Sequence, residues 1–280
     1  IGTFDSGVDI LNFKTNNFDE SLITETLQNE LNDIGIYSIA GDDQNNIWIG
    51  TFGKGLLKYN LIDKSIKVYN YNEGLNSLSS SSIRTLFFDD KKNLWIGTQK
   101  GLNLLDTKGR MTRYFYDKAL QSGEDILSVY QDTNSNIWIG TKSKGLYKYH
   151  NGTFKSINLK DNDQKINTVN SILEGNQNDL WISTNQGLVN YCYNEDKATF
   201  YNQTDGLISN EFNGGASLKT NENVFFFGGL NGVVYFDANN LKTNHYTPQV
   251  LLTDFKINNK SVPISSSKAT LEQSISFTDN

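Results

Sequence analysis

Four nearly identical hexapeptides recur through this chain, and they restrict its fold more than any other feature. Asn46-Ile-Trp-Ile-Gly-Thr51, Asn93-Leu-Trp-Ile-Gly-Thr98, Asn136-Ile-Trp-Ile-Gly-Thr141 and Asp179-Leu-Trp-Ile-Ser-Thr184 place Trp48, Trp95, Trp138 and Trp181 at spacings of 47, 43 and 43 residues. Every tryptophan of the chain sits in this one slot. Ile1-Gly2-Thr3 reads as the tail of an earlier copy. Val224-Phe-Phe-Phe-Gly-Gly229 reads as a degenerate later copy with Phe226 in the tryptophan position.

Other positions repeat in phase. Twelve residues before each tryptophan stand Ile36, Ile83, Ile126 and Val169, and ten before stand Ser38, Thr85, Ser128 and Ser171. Six before stand Asp42, Asp89 and Asp132, then Gly175, and after each copy come Gly55-Leu56, Gly101-Leu102, Gly145-Leu146 and Gly187-Leu188. Within one unit, Ser82 to Phe88 reads as a first strand and Leu94 to Thr98 as a second. Leu102 to Leu105 and Met111 to Tyr116 follow as third and fourth, with a polar turn at Asp89–Asn93. In the second strand Ile47, Ile49 and Thr51 face one way and Trp48 and Gly50 the other, and neither side is charged. Such a strand belongs in a sheet stacked between two other sheets, and the glycine leaves room for the neighbour.

Units of about 40–45 residues with four strands fit a β-propeller blade. A helical solenoid is disfavoured, because no window keeps a 3.6-residue period. The expected fold is therefore all-β, a propeller of four-stranded blades over residues 1–246. It comprises a partial blade at 1–31 and units near 32–76, 77–120, 121–163, 164–206 and 207–246. The blades are expected to form the C-terminal part of a seven-bladed ring, with further N-terminal blades covering the first sheet. A chain opening on Ile1 reads as a piece of a longer polypeptide.

Composition removes several classes of function. A net charge of −6 gives no basic footprint for nucleic acid. No apolar run approaches the ~20 residues that cross a bilayer as a helix. Cys192 is the single cysteine, so no intrachain disulfide can form.

The pattern (Asn/Asp)-(Ile/Leu)-Trp-Ile-Gly-Thr-x(2–3)-Gly-Leu, with an aspartate six residues before the tryptophan, resembles the two-component regulator propeller repeat. Asn72-Glu-Gly-Leu75 and Thr204-Asp-Gly-Leu207 resemble its inter-blade link. Gly206 to Ala216 with Phe227 to Gly232 resembles its terminal blade. Pro248 to Asn258 resembles the opening of the triple-tyrosine (YYY) Ig-like domain that follows such propellers, so 247–280 is expected to hold the first strands of that β-sandwich. The resemblance implies a periplasmic, ligand-sensing region of a bacterial two-component receptor, ahead of a membrane helix and a histidine kinase. In some relatives a diguanylate cyclase takes the kinase's place. The departures are Gly175 for the aspartate, Ser183 for the glycine and Phe226 for the tryptophan.

Candidate chemistry is sparse. Asp42, Asp89 and Asp132 occupy equivalent places in three units, which fits a turn-forming role better than catalysis. Asp132-Thr-Asn-Ser-Asn136 alternates oxygens as calcium loops do, but lacks their glycine and terminal glutamate. His150 and His245 have no Cys or His partner nearby, so no zinc site or triad is expected. Cys192 reads as a small strand residue, and no phosphate loop is present. The chain is thus read as non-catalytic, with no cofactor and no metal.

In a propeller the turns between second and third strands, and those entering each first strand, emerge on one face. The former carry Lys54, Lys100, Lys142, Lys144, Asn185 and Asn231; the latter carry Ser81, Asp125, Asn167 and Asn210. Together they are the expected ligand-binding residues, suited to an oligosaccharide or another small molecule, an acidic or sulfated sugar included. Solvation of tight turns would account for the same polar residues. The expected partners are that ligand and a second ectodomain copy, with the membrane reached only through downstream segments. Rival functions are a propeller glycoside hydrolase or lyase, for which Asp125 and Glu211 are the nameable carboxylates, and a protein-binding scaffold.

Overall fold

The computed structural model describes residues 1–241 (save 6, 20, 22, 75, 118–121, 162, 163 and 177) together with 256–261. The chain divides into two compact units, Ile1–Asn240 and Leu241–Asn280. In the second unit the described residues form a hairpin of Lys256–Ile257 with Lys260–Ser261. Most of the stretch assigned to a YYY domain lies outside the described residues.

The first unit is a row of antiparallel sheets in propeller arrangement. Blade 1 consists of Ile36–Gly41, Asn46–Thr51, Leu56–Asn60 and Ile66–Tyr69, paired in that order. Blade 2 consists of Ile83–Phe88, Leu94–Thr98, Gly101–Leu105 and Met111–Tyr114. Blade 3 follows with Ile126–Gln131, Ile137–Thr141, Leu146–His150 and Thr153–Ile157, and blade 4 with Val169–Glu174, Asp179–Thr184, Leu188–Cys192 and Lys197–Tyr201. Blade 5 has three strands, Phe212–Lys219, Val224–Gly229 and Gly232–Asp237. The first strands of successive blades pack on one another and line the axis.

The repeated aspartate is what shapes each first hairpin. In blade 3 the Asp132 carboxylate accepts from the backbone N–H of Asn134 (3.0 Å) and Asn136 (2.8 Å), from Asn136 Nδ2 (2.8 Å) and from Trp138 Nε1 (2.8 Å). Asp42 and Asp89 hold the matching donors of their own turns, reaching Trp48 Nε1 at 2.9 Å and Trp95 Nε1 at 3.0 Å. One carboxylate thus satisfies the turn and fixes the indole, whose N–H must find a partner when buried. The aspartates are structural, as their periodicity predicts. In blade 4 Gly175 replaces the aspartate, and Asp179, two residues before Trp181, accepts from Asn190 Nδ2 of the third strand.

Close approach of the blades depends on the glycine after Trp-Ile. A Cβ on Gly50 would lie 2.7 Å from Ile83 Cγ2, and one on Gly97 2.9 Å from Ile126 Cγ2. The second strand of blade 2 is buried along its whole length. Trp48 packs with Ile83 and Leu94 of blade 2, whereas Ile49 packs backwards on Val8 and Leu27. These are the two directions that alternation predicts.

Ile1-Gly2-Thr3 behaves as the tail of a preceding repeat. A Cβ on Gly2 would contact Ile36 as one on Gly50 would contact Ile83, and Thr3 Oγ1 donates to Gly7 O at 2.9 Å. A hairpin, Leu11–Asn12 with Asn17–Phe18, follows. Then comes a feature the all-β reading omits, a helix at Glu25–Leu31. Thr24 Oγ1 caps it by accepting from Leu27 N (3.2 Å), and Leu27 and Leu31 are its buried residues. Seven residues are too few to register as a helical period. The links entering blades 3 and 4 carry further small hairpins, Tyr116–Asp117 with Ser122–Gly123 and Lys160–Asp161 with Gln164–Lys165. Apolar side chains stay exposed at both ends of the row, Phe13 before blade 1, Ile39 on its first strand, and Leu218, Val233 and Tyr235 on blade 5.

Two outcomes are expected for the clamp. Asp132→Ala strands a buried indole N–H and two turn amides, and should cost about 3 kcal/mol in urea unfolding. For Asp42, burial alone would raise the pKa, but hydrogen bonds from Trp48, Asn46 and Gln44 outweigh it and hold the value below 3.8. Its stabilisation is therefore complete above pH 3.8 and lost as pH falls through the lower folded value. A pH series of unfolding midpoints on wild type and Asp42→Asn checks this, the two curves converging in strong acid.

Candidate functional site on the axial face

A threonine staple builds the face. Thr51 Oγ1 donates to Gly55 O (2.7 Å) while accepting from Lys54 N (3.1 Å), and Thr141 Oγ1 does the same with Gly145 O (2.9 Å) and Lys144 N (3.0 Å). The turn glycines need positive φ, 83° at Gly55 and 117° at Gly187, which explains the Thr-x(2–3)-Gly spacing. Gly55 N then donates to Ser81 O at 2.8 Å, Gly145 N to Asn167 O at 2.7 Å and Gly187 N to Asn210 O at 2.8 Å. In blades 1, 3 and 4 the turn is thus bonded to the link entering the next blade, so the two sets of predicted residues meet on one face.

Their side chains differ in what they leave available. Lys54 Nζ is held by Glu30 of the helix, through the carboxylate at 2.8 Å and the backbone O at 2.7 Å. Lys144 Nζ lies 3.8 Å from Glu124, a buried carboxylate that also accepts from Ser143 N (2.9 Å) and Ser143 Oγ (2.7 Å). Lys100, Lys142, Asn167, Asn185 and Asn231 are exposed, and Ser81 is half-buried. Asn210 Oδ1 accepts from Gln203 N at 2.9 Å, and Asp125 is gripped by Arg84, with Nε at 3.1 Å and Nη2 at 3.2 Å. With Lys54 and Lys144 engaged, the face is less basic than the count of turn lysines suggests.

Sequence reading missed the residues at the bulges of the first strands. In blades 1 to 4 the pairing of first and second strands slips at one place, between Ile36 and Ser38, Ile83 and Thr85, Ile126 and Ser128, and Val169 and Ser171. The residue at each slip, Tyr37, Arg84, Leu127 or Asn170, is a β-bulge, and a bulge re-aims its side chain. These four differ while their neighbours barely change. That contrast was the signal present in the sequence.

Two of them, Tyr37 and Arg84, form a connected group with Phe52 and with Asp125 at the entrance to blade 3. The Arg84 guanidinium stands 5.2 Å from the Tyr37 ring centre, and Tyr37 meets Phe52 at 5.8 Å. Both rings are about half exposed, Tyr37 at 43% and Phe52 at 47%. Both touch blade 2, Phe52 through a backbone bridge to Ser82, so their exposure is not that of the open edge before blade 1. Asn170 Nδ2 is committed to Phe212 O at 2.9 Å. Of the two carboxylates named for hydrolysis, Asp125 is bound at both oxygens and Glu211 is exposed at the entrance to blade 5. No group of three metal-ligating side chains occurs among the described residues.

The two-component regulator propeller family matches residues 30–53, 77–100, 120–143 and 163–186. These segments are two-component regulator propeller repeats. Each runs from the approach to a first strand to the turn after the second; the first three hold the aspartate–indole clamp, and all four hold the threonine of the staple. Histidine kinase P4 of Formosa agariphila is 42% identical over 272 residues, covering 95% of this chain and 20% of its own length. The chain therefore spans about one fifth of that relative. Among solved structures, one named as the extracellular domain of hybrid two-component system BT3049 from B. thetaiotaomicron aligns with TM-score 0.70 at 19% identity, over 94% of this chain and 36% of its own. The corresponding domain of BT4673 from the same organism aligns with TM-score 0.67 at 20% identity, over 82% and 30%. The chain shares the propeller fold with these two extracellular domains.

The Arg84–Asp125 pair is partly buried, with side chains 20% and 16% exposed. A double-mutant cycle with Arg84→Ala and Asp125→Ala should return a coupling energy of about 1–2 kcal/mol in unfolding experiments. A value near zero would show the pair to be incidental.

Proposed function

We propose that this chain is the ligand-sensing part of a periplasmic two-component receptor, and that its axial face binds an oligosaccharide without cleaving it. The observation that carries the reading is the exposed Tyr37–Phe52 pair beside the Arg84–Asp125 bridge, on repeats of a signalling family. Aromatic faces offer a platform for the C–H face of a pyranose, and the polar groups around them fix its hydroxyls. Lys100, Lys142, Asn167, Asn185 and Asn231 extend this polar surface. Because Lys54 and Lys144 face carboxylates, a neutral or weakly acidic sugar suits the face better than a heavily sulfated one.

In this reading further blades close a seven-membered ring over the exposed apolar ends, since a sheet face with Leu218, Val233 and Tyr235 exposed needs a partner. Residues 247–280 then begin an Ig-like domain that passes the signal toward a membrane helix and a kinase. The ligand acts by favouring one of two arrangements of the receptor, a paired ectodomain among them.

Thermal-shift and calorimetric titration against neutral and sulfated oligosaccharides, with product analysis of each mixture, tests the proposal. A ligand at 100 times its Kd should add about 2.7 kcal/mol of stability. Tyr37→Ala should weaken binding at least about tenfold while leaving the unfolding midpoint nearly unchanged. Cleaved sugar would overturn the non-catalytic reading, and silence from every sugar would overturn the saccharide.

A further inference from the structure

One position of the repeat varies in a way that opens a cavity at the other end of the blades, away from the axial face. Tyr59, Leu105, Tyr149, Tyr191 and Phe236 occupy the same register position in the third strands, opposite Ile47, Leu94, Ile137, Leu180 and Phe225. In three interfaces this aromatic ring meets the tryptophan of the preceding blade. Trp95 and Tyr149 lie 5.2 Å apart, Trp138 and Tyr191 6.2 Å, and Trp181 and Phe236 4.5 Å. Between blades 1 and 2 the slot holds Leu105, which packs in the same cluster as Trp48 but carries no ring.

The missing ring is not fully replaced. Phe88 reaches Trp48 edge-on at 6.2 Å, and Tyr69 stacks on it from blade 1 at 5.7 Å. A cavity of about 340 Å³ remains, lined by Trp48, Tyr69, Phe88 and Leu105 and, in greater part, by polar groups, Lys58 and Asp106 among them. Lys58 Nζ stands 5.1 Å from the indole centre, and Lys92 bridges to Asp43 at 3.5 Å between the two blades. Cavities of this size accept small molecules, and one left where a large side chain is missing takes a molecule of the missing shape.

We infer that the cavity between blades 1 and 2 is a binding site for a small phenol, an aromatic ring bearing a hydroxyl group. The ring takes the place that Tyr149 and Tyr191 fill in blades 3 and 4, against the Trp48 indole and Leu105. The hydroxyl turns to the charged rim formed by Lys58 and Asp106. The site requires neither the axial rim nor a saccharide.

The test uses p-cresol, the tyrosine side chain as a free molecule, titrated into the intact chain with 15N-labelled tryptophan. The four indole N–H signals report separately, assigned by Trp→Phe variants. A saturable shift confined to Trp48, with a Kd of about 1 mM, is the expected result for so few heavy atoms. Leu105→Tyr should abolish that shift and raise the melting temperature; Leu105→Phe serves the same purpose should the first variant misfold. Glucose is the second arm. A Trp48 response to glucose but not to p-cresol would overturn the assignment to phenols. No response, equal movement of all four indoles, or a response surviving in the filled variant would overturn the site.

Discussion

The hydrogen bond from three of the four repeat tryptophans to the aspartate six residues earlier organises the rest of the propeller. An indole buried between two sheets must place its N–H on an acceptor, and the carboxylate that accepts it also satisfies the amides of the first hairpin turn. Trp138 Nε1 to Asp132 at 2.8 Å, repeated at Trp48 and Trp95, therefore couples the conformation of a turn to the position of a core side chain. A loosened clamp would release both together. Blade 4 departs from this pattern: Gly175 stands in the aspartate position, and Asp179 accepts from Asn190 of the third strand.

With the tryptophan fixed on one side of the second strand, the glycine two residues on sets how near the next blade can come. That close approach brings the first strands together around the axis. It also brings each turn beneath the link that enters the following blade. The axial face is thus a consequence of packing rather than of any single motif. Its scaffold is rigid because backbone bonds such as Gly145 N to Asn167 O tie one blade to the next. Rigid backbone with variable side chains is the arrangement that binding surfaces on repeat scaffolds require.

Variation is concentrated at two places. At the bulges, Tyr37, Arg84, Leu127 and Asn170 differ where their neighbours hardly do, and three blades contribute to one aromatic and ion-paired group. In the third strand, Leu105 stands where aromatic residues otherwise sit, and an internal surface opens. One variable position faces solvent at the axis and the other lies between sheets. They differ in chemistry without altering the frame.

The sequence by itself determined the blade count of this segment, the strand order, the inward and outward faces of each second strand and the structural role of the aspartates. All of these follow from a period of about 43 residues and from side-chain alternation, which are local. It also placed the turn lysines and asparagines on one face, since antiparallel strands send alternate turns to the same end. Only the tertiary structure decided which of those charges are already matched. Lys54 meets Glu30 because a seven-residue helix lies beside blade 1. Arg84 meets Asp125 across 41 positions of chain. The bulges depend on register between paired strands, and the cavity on which ring is missing from an interface between neighbours. Neither relation is written in any one segment, because each arises only when two segments are brought into contact.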